Sequence, residues 1–375
     1  MAHVEDRWKS EIGRKGNGLR WRVRYRNNQN KHRTKSFHRR TEADRFAREI
    51  ERSLDYGTFI DPKVSQITFD DYASNWLNNA NNLRETTVVS YEGIIRNHFV
   101  PLLGSTPLAA LTPDDFRHLI KRCQANGLSD SSINKICRTA KTILQTAVND
   151  RIIHHNPLDG VRFPKESQKE IRFLTVPQLA GLVEAIDPHY QTFVLSAGIL
   201  GARSGELRGL HPRNLDLKVG QLNVVEQLTE VRGTVKIVPP KTSAGTRKIT
   251  LPKFLVSHLE EQTAERSTED LVFPTENGAP IRRSNFTQRI WQPAIKAAGL
   301  NGFTFHELRH TAVALSIQIG AHPKAIQERL GHSSITVTLD RYGHLFPALD
   351  EALADGFDQA YGKTLASPPR PKELN

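Results

Sequence analysis

Residues 303–342 read FTFHELRHTAVALSIQIGAHPKAIQERLGHSSITVTLDRY. Four side chains able to handle a phosphate lie in this one stretch: His306, Arg309, His332 and Tyr342. His306 and Arg309 are three positions apart, so a helix presents both on one face. Residues 321–330 read as a second helix, with Ala325, Ile326, Arg329 and Leu330 in 3–4 spacing. Gly331 is a natural stop that leaves His332 just beyond the helix end. Tyr342 follows a Ser/Thr-rich stretch that reads as a loop. A tyrosine approached by guanidinium and imidazole groups suggests one reaction, attack of a phenolic oxygen on a phosphodiester.

The same stretch holds a competing motif. Residues 306–310, HELRH, match the H-E-x-x-H signature of zinc proteases. A helix would place His306 and His310 together, but Arg309 crowds that face, and a guanidinium beside a divalent cation is electrostatically unfavourable. Val313 and Ser316 stand where the extended motif would need Gly and His. The phosphate reading therefore outweighs the metal reading, and His310 and Thr311 are left as helix packing or support.

Moving outward, the 375 residues suffice for two or three domains with real cores. No apolar run reaches membrane-spanning length and no signal-peptide pattern opens the chain, so a cytoplasmic protein is expected. Cys123 and Cys137 fall on apolar helix faces and read as small buried hydrophobes of a reducing compartment. The net charge of +12 is uneven: residues 1–40 hold 13 Lys or Arg against 3 Asp or Glu. Such a basic arm is the footprint of a nucleic-acid partner, because neutralising phosphates releases counterions.

Within the arm, residues 20–26 (RWRVRYR) alternate with period two, giving a strand with one apolar face and one arginine face. Residues 27–30 read as a turn, 31–37 as a basic partner strand and 7–12 as a third strand, with Thr41 capping a helix to about Leu54. A small basic sheet backed by one helix can face a DNA groove. Arg20, Arg22, Arg24, Arg26, Lys31, Arg33 and Lys35 are the candidate DNA contacts.

Residues 57–67 read as a linker. Thr68 then caps a helix with Phe69, Tyr72, Ala73, Trp76 and Leu77 in helical spacing. Further helices are expected over 85–99, from Thr112-Pro113, and over 131–148, making a compact bundle of about four helices that ends near Pro157. Residues 163–172 form a second linker, and Thr175 with Gln178 is a capping box opening the last domain. Residues 190–200 read as a buried helix that runs into GARSGEL, placing Arg203 at the start of another helix with Glu206 one turn on. Residues 221–228, 235–238 and 249–251 read as strands, and 239–245 as a hairpin turn with Lys241 near its tip. One short helix is expected over 348–361, and 364–375, with three prolines, reads as a mobile tail.

Taken together, Arg203, Lys241, His306, Arg309, His332 and Tyr342 resemble the catalytic set of the tyrosine recombinases, the phage-integrase family. The resemblance covers about residues 66–360 and rests on GARSGEL, PPKTSAGTR, HELRHT, LGHSS and LDRY in that order. The basic sheet and helix at the front resemble the arm-binding domain of phage integrases, which simple Xer-type resolvases generally lack. The layout implied is multidomain and α+β: an arm-type DNA-binding domain over 1–60 and an all-α core-binding domain over 66–162. A mainly α catalytic domain with a small antiparallel sheet follows over 172–362, then a mobile tail over 363–375.

The chemistry suits these residues. Arg203 and Arg309 can grip the non-bridging oxygens with planar forks as charge gathers at phosphorus. The resemblance makes Lys241 the general acid for the departing 5′-oxygen. His306 is a candidate for removing the Tyr342 proton, His332 a donor to phosphate, and Glu206 an orienting group. A 3′-phosphotyrosine keeps the bond energy, so neither ATP nor metal is required. The family further implies a tetramer on two DNA sites, working through a Holliday junction, with phage and host attachment sites as partners. A host bending factor and an excision directionality factor are further candidate partners, and the host bacterial cytoplasm is the expected location. A Xer-type resolvase or a type IB topoisomerase would share the chemistry, and a non-catalytic DNA-binding regulator would leave Tyr342 and its companions idle.

Overall fold

The computed structural model describes residues 2–11, 15–16, 18–26, 30–56, 59–60, 66–166, 170–345 and 354–362. It divides into two compact units, residues 1–168 and 169–375.

The first unit opens with a three-stranded antiparallel sheet, β1 (His3–Asp6), β2 (Trp21–Arg26) and β3 (His32–Phe37), in the order β1-β2-β3. The third strand is therefore His3–Asp6, while Arg7–Ser10 turns into a short helix capped by the Asp6 carboxylate. That reverses the expected strand at 7–12, because a side-chain cap gives the Trp8 N–H its partner within the turn. The Arg40–Asp55 helix begins one residue before Thr41, with Arg39 at the cap position. Its Ala43, Ala47 and Ile50 pack on Val23 and Tyr25, so the apolar face of β2 is the buried one.

A helical bundle follows: Phe69–Asn78, Glu85–Ile94, Pro113–Ala125 and Asp130–Asn149. Thr68 caps the first, and a Thr112–Asp115 capping box opens the third ahead of Pro113. The second helix does not stop at residue 99; it widens into a π turn over Ile95–Phe99 and continues as Val100–Leu103. Pro101 accounts for this, since a proline has no N–H for the usual bond and its ring displaces the preceding turn. The bundle core joins Phe69, Phe99, Phe116, Ile133 and Leu144, with Cys123 and Cys137 both free and buried. The turn expected at 27–30, most of the linker at 57–67, the first part of the helix at 348–361 and the tail at 364–375 lie largely outside the described residues.

In the second unit, the helices Val176–Ala185, Gln191–Leu200 and Glu307–Gln318 share one core with Phe193, Phe273, Phe286, Trp291 and Leu308. The stretch 221–228 breaks at Val225-Glu226 into two strands that join different sheets. One sheet is β4 (Leu215–Asp216), β5 (Gln221–Val224) and β8 (Arg247–Thr250); the other pairs β6 (Gln227–Val231) with β7 (Thr234–Val238). Residues 239–245 thus connect two sheets rather than close a hairpin, with a 3₁₀ turn at Ser243–Gly245. The stretch 303–342 ends in a helix, Ile335–Tyr342, where a loop was expected. Ser334 caps it and Tyr342 is its last residue.

Candidate active site

Arg309 is the centre of the arrangement. It lies on the buried face of the Glu307–Gln318 helix and is only 5 % exposed. Its Nη1 donates to the Gly201 carbonyl (2.6 Å) and its Nη2 to the Leu330 carbonyl (2.8 Å). Those carbonyls close the helices Gln191–Leu200 and Pro323–Leu330, whose C-termini carry partial negative charge, so two helix ends aim and stabilise one guanidinium. Burial, with Arg203 next, pulls its pKa down to about 9, still well above neutral.

Both helix ends need glycine. Gly201 (φ 64°) and Gly331 (φ 67°) adopt the left-handed conformation. A Cβ on Gly331 would lie 2.5 Å from the Ala244 carbonyl and 3.0 Å from the Arg247 side chain. The turn is therefore pressed against the loop that carries Lys241.

Arg203 reaches the same turn from the other side. As the residue before the Ser204–Arg208 helix, it donates from Nη2 to the Gly331 carbonyl (3.3 Å) and from Nη1 to Glu206 (2.7 Å). Glu206 also accepts the Arg203 backbone N–H (2.8 Å) and two bonds from Arg247 (3.1 and 2.9 Å). Burial would raise the Glu206 pKa, yet Arg247 and then Arg203 hold it below the ordinary carboxylate value. Arg247 in turn donates to the Arg329 and Gly245 carbonyls (2.6 and 2.9 Å). Arg247 is not among the residues the sequence singled out; its place after the PPKTSAGT turn was the available signal.

His332, just past Gly331, hydrogen-bonds the buried Thr338 hydroxyl through Nδ1 (2.9 Å), which leaves Nε2 for a ligand. Burial, then Arg309 and Arg203, lowers its pKa to about 4. His306 caps the Glu307–Gln318 helix at the surface, with its pKa lowered by desolvation and then by Arg309, Arg341, Arg203 and Arg283. Lys241 lies exposed in the loop after β7.

Tyr342 is 2 % exposed and packs with Val313, Ile317, Ile326 and Leu330. Its hydroxyl is hydrogen-bonded to Nδ1 of His310, the residue left as packing in the sequence reading. Burial raises the phenol's pKa, opposed by Arg341 and Arg309. Arg203, Glu206, Arg309, His332 and Tyr342 thus converge on the Leu330–Gly331 turn and its neighbours. His310, not His306, touches the tyrosine oxygen.

The arm residues divide between two faces. Arg24 pairs with Thr34, but Val23 pairs with Lys35 and Tyr25 with Arg33, so Arg33 and Lys35 stand on the face that the helix covers. Lys35 Nζ lies 4.6 Å from the Phe46 ring. On the other face, Arg20 is bound by Asp6, Arg22 by Glu5 and Glu11, and Arg24 by Glu5. Arg26 donates to Asn30, and Lys31 is exposed just before β3. The seven basic residues therefore do not form one face.

Residues 172–348 match the Phage integrase family, and residues 68–123 match the phage integrase N-terminal SAM-like domain. The prophage phiRv2 integrase of Mycobacterium tuberculosis is 30% identical over 314 residues, covering 82% of each chain. The chain belongs to the phage integrase family. Another family relative, the ICEBs1 integrase of Bacillus subtilis, is 27% identical, covering 71% of this chain and 75% of its own. Among solved structures, the Tn1549 transposon integrase bound to transposon right end DNA superposes with a TM-score of 0.67 at 25% identity, over 78% of this chain and 99% of that one. A lambda integrase dimer bound to a core site matches with a TM-score of 0.59 at 19% identity, over 87% of this chain and 93% of that one. This integrase-family chain is a tyrosine site-specific recombinase with an α+β multidomain layout. Among its described residues, no helix is long and apolar enough to cross a membrane.

Proposed function

We propose that Tyr342 is the nucleophile that joins to a DNA 3′-phosphate, with Arg203 and Arg309 gripping the phosphate and Glu206 holding Arg203 in place. The observation that carries this reading is that both guanidinium groups are tied to one turn, through the Leu330 and Gly331 carbonyls, with His332 next in the chain. A phosphodiester entering there adds negative charge where Arg309 and Arg203 already lower the pKa of His332. His332, neutral before DNA binds, keeps Nε2 available to donate to a phosphate oxygen. Lys241 supplies the proton to the departing 5′-oxygen, carried in by its loop, and His306 stands at the rim beside the phosphate.

The partner is double-stranded DNA at attachment sites of a mobile element and its bacterial host, engaged by a homotetramer in the host cytoplasm. Relatives named as integrases of prophages and phages favour that substrate, and a lambda integrase tetramer bound to a Holliday junction supports that assembly. An arm-type domain over 1–60, a core-binding domain over 66–162, a catalytic domain over 172–362 and a tail over 363–375 would divide the work. Host bending and excision directionality factors would set the direction. A nicked suicide substrate tests the site: wild type accumulates a covalent protein–DNA adduct and Tyr342→Phe forms none. Adduct formation by the Phe variant would refute the assignment.

A further inference from the structure

We infer that His310 is a further catalytic residue of this reaction, the acceptor of the Tyr342 phenolic proton. The inference rests on Tyr342 being the nucleophile. Two imidazoles, His306 and His310, stand one turn apart at the start of the Glu307–Gln318 helix with ring centres 5.4 Å from each other, and the His310 ring centre lies 5.7 Å from that of Tyr342. Of these two imidazoles His310 is the one hydrogen-bonded to the hydroxyl, to which Arg341 also bonds; with Arg341 able only to donate, the phenolic hydrogen is left to point at the Nδ1 lone pair. His310 also follows Arg309 directly, so the group that grips phosphate and the group that takes the proton are fixed to one helix.

The step balances as written. As the bond from Tyr342 Oη to phosphorus forms, the phenolic proton passes to His310 Nδ1. The bond from phosphorus to the 5′-oxygen breaks, and Lys241 protonates that oxygen. Religation reverses each transfer, and His310 returns the proton to the tyrosine.

The charges around His310 explain why the transfer waits for DNA. From its own helix it faces His306, Arg309 and Glu307, and from the Ile335–Tyr342 helix it faces Arg341 and Tyr342. Burial foremost, then His306 and Arg341, holds its pKa at about 4, while burial raises that of the phenol, so the proton stays on Tyr342 in the free protein. A bound phosphodiester offsets Arg309 and Arg341, strengthens the imidazole as a base and favours transfer.

Single-turnover cleavage of a nicked suicide substrate tests this across pH 5–10 with the full chain. His310→Leu should cleave about 100-fold more slowly at neutral pH, with DNA affinity unchanged. Its rate should climb tenfold per pH unit towards the phenol's own ionisation, whereas wild type should level off once the imidazole is neutral. His310→Gln serves as the variant closer in size and should show the same climb. Equal rates, faster cleavage, or a loss with an unaltered pH profile would overturn the inference. So would a wild-type rate that climbs without levelling up to the phenol range, a result that needs no variant to fold. Tyr342→Phe run alongside separates the two readings: an adduct there removes the nucleophile, whereas silence there with a normal His310→Leu removes only the base.

Discussion

Replacing Glu206 with glutamine probes the buried charge cluster most sharply. The carboxylate is 4 % exposed and accepts four hydrogen bonds, two from Arg203 and two from Arg247. Arg203 is 39 % exposed in its side chain and can turn to water, but Arg247 is only 6 % exposed and cannot. Glu206→Gln therefore leaves a buried guanidinium without its counter-charge, a loss of about 3–5 kcal/mol. Against a total stability of about 5–15 kcal/mol, that is enough to deplete the folded second unit under mild denaturant. Urea unfolding followed by ¹⁹F NMR of fluorotryptophan-labelled protein reads this unit alone, because Trp291 is the tryptophan in residues 169–375. The double variant Glu206→Gln/Arg247→Met should regain much of the loss, since removing both charges leaves none stranded. A shift of the Trp291 transition below about 1 kcal/mol, or no recovery in the double variant, would refute the reasoning.

Other expectations follow from the same geometry. Arg309→Lys cannot span the Gly201 and Leu330 carbonyls, so cleavage should fall at least about 100-fold in the suicide assay with DNA binding largely kept. Gly331→Ala places a Cβ against the Ala244 carbonyl in a left-handed turn, and should lower the melting temperature and abolish measurable cleavage. Stability should fall on acidification through three groups, two histidines and a carboxylate, whose pKa values are all lowered in the fold. His310 and His332 have folded pKa values near 4, below the unfolded value, so the unfolded chain binds protons first and stability drops from about pH 6.5 towards 4. Glu206, also depressed, adds its loss below the ordinary carboxylate range, and a melting curve of His332→Gln should show a weaker decline between pH 6.5 and 4. In the arm, Arg24→Ala should reduce the salt dependence of DNA binding by about one counterion, while Lys35→Ala leaves it unchanged.

Much of this was legible in the sequence for particular physical reasons. The Thr112-Pro113 start and the capping box at Thr175 declare their helices, the first because proline suits the first helical position and the second because the cap and its third residue satisfy each other locally. Gly331 announced a helix end because its left-handed conformation suits glycine. What escaped reading depends on contacts distant in sequence. The pairing of β5 with β8 and β6 with β7 splits one apolar run between two sheets, which no local period encodes. The register of β3 turned Arg33 and Lys35 to the covered face, since a one-residue shift exchanges faces. His310 looked like packing because its partner, Tyr342, comes from a different helix. Arg247 was overlooked because its ties to Glu206 and to the Arg329 carbonyl cross 41 and 82 positions.

Mass spectrometry of the trapped protein–DNA adduct, digested to peptides, tests the central claim most directly. The account predicts a nucleotide remnant on the peptide containing Tyr342, attached at that tyrosine. A remnant on any other residue, with Tyr342 unmodified, would contradict it.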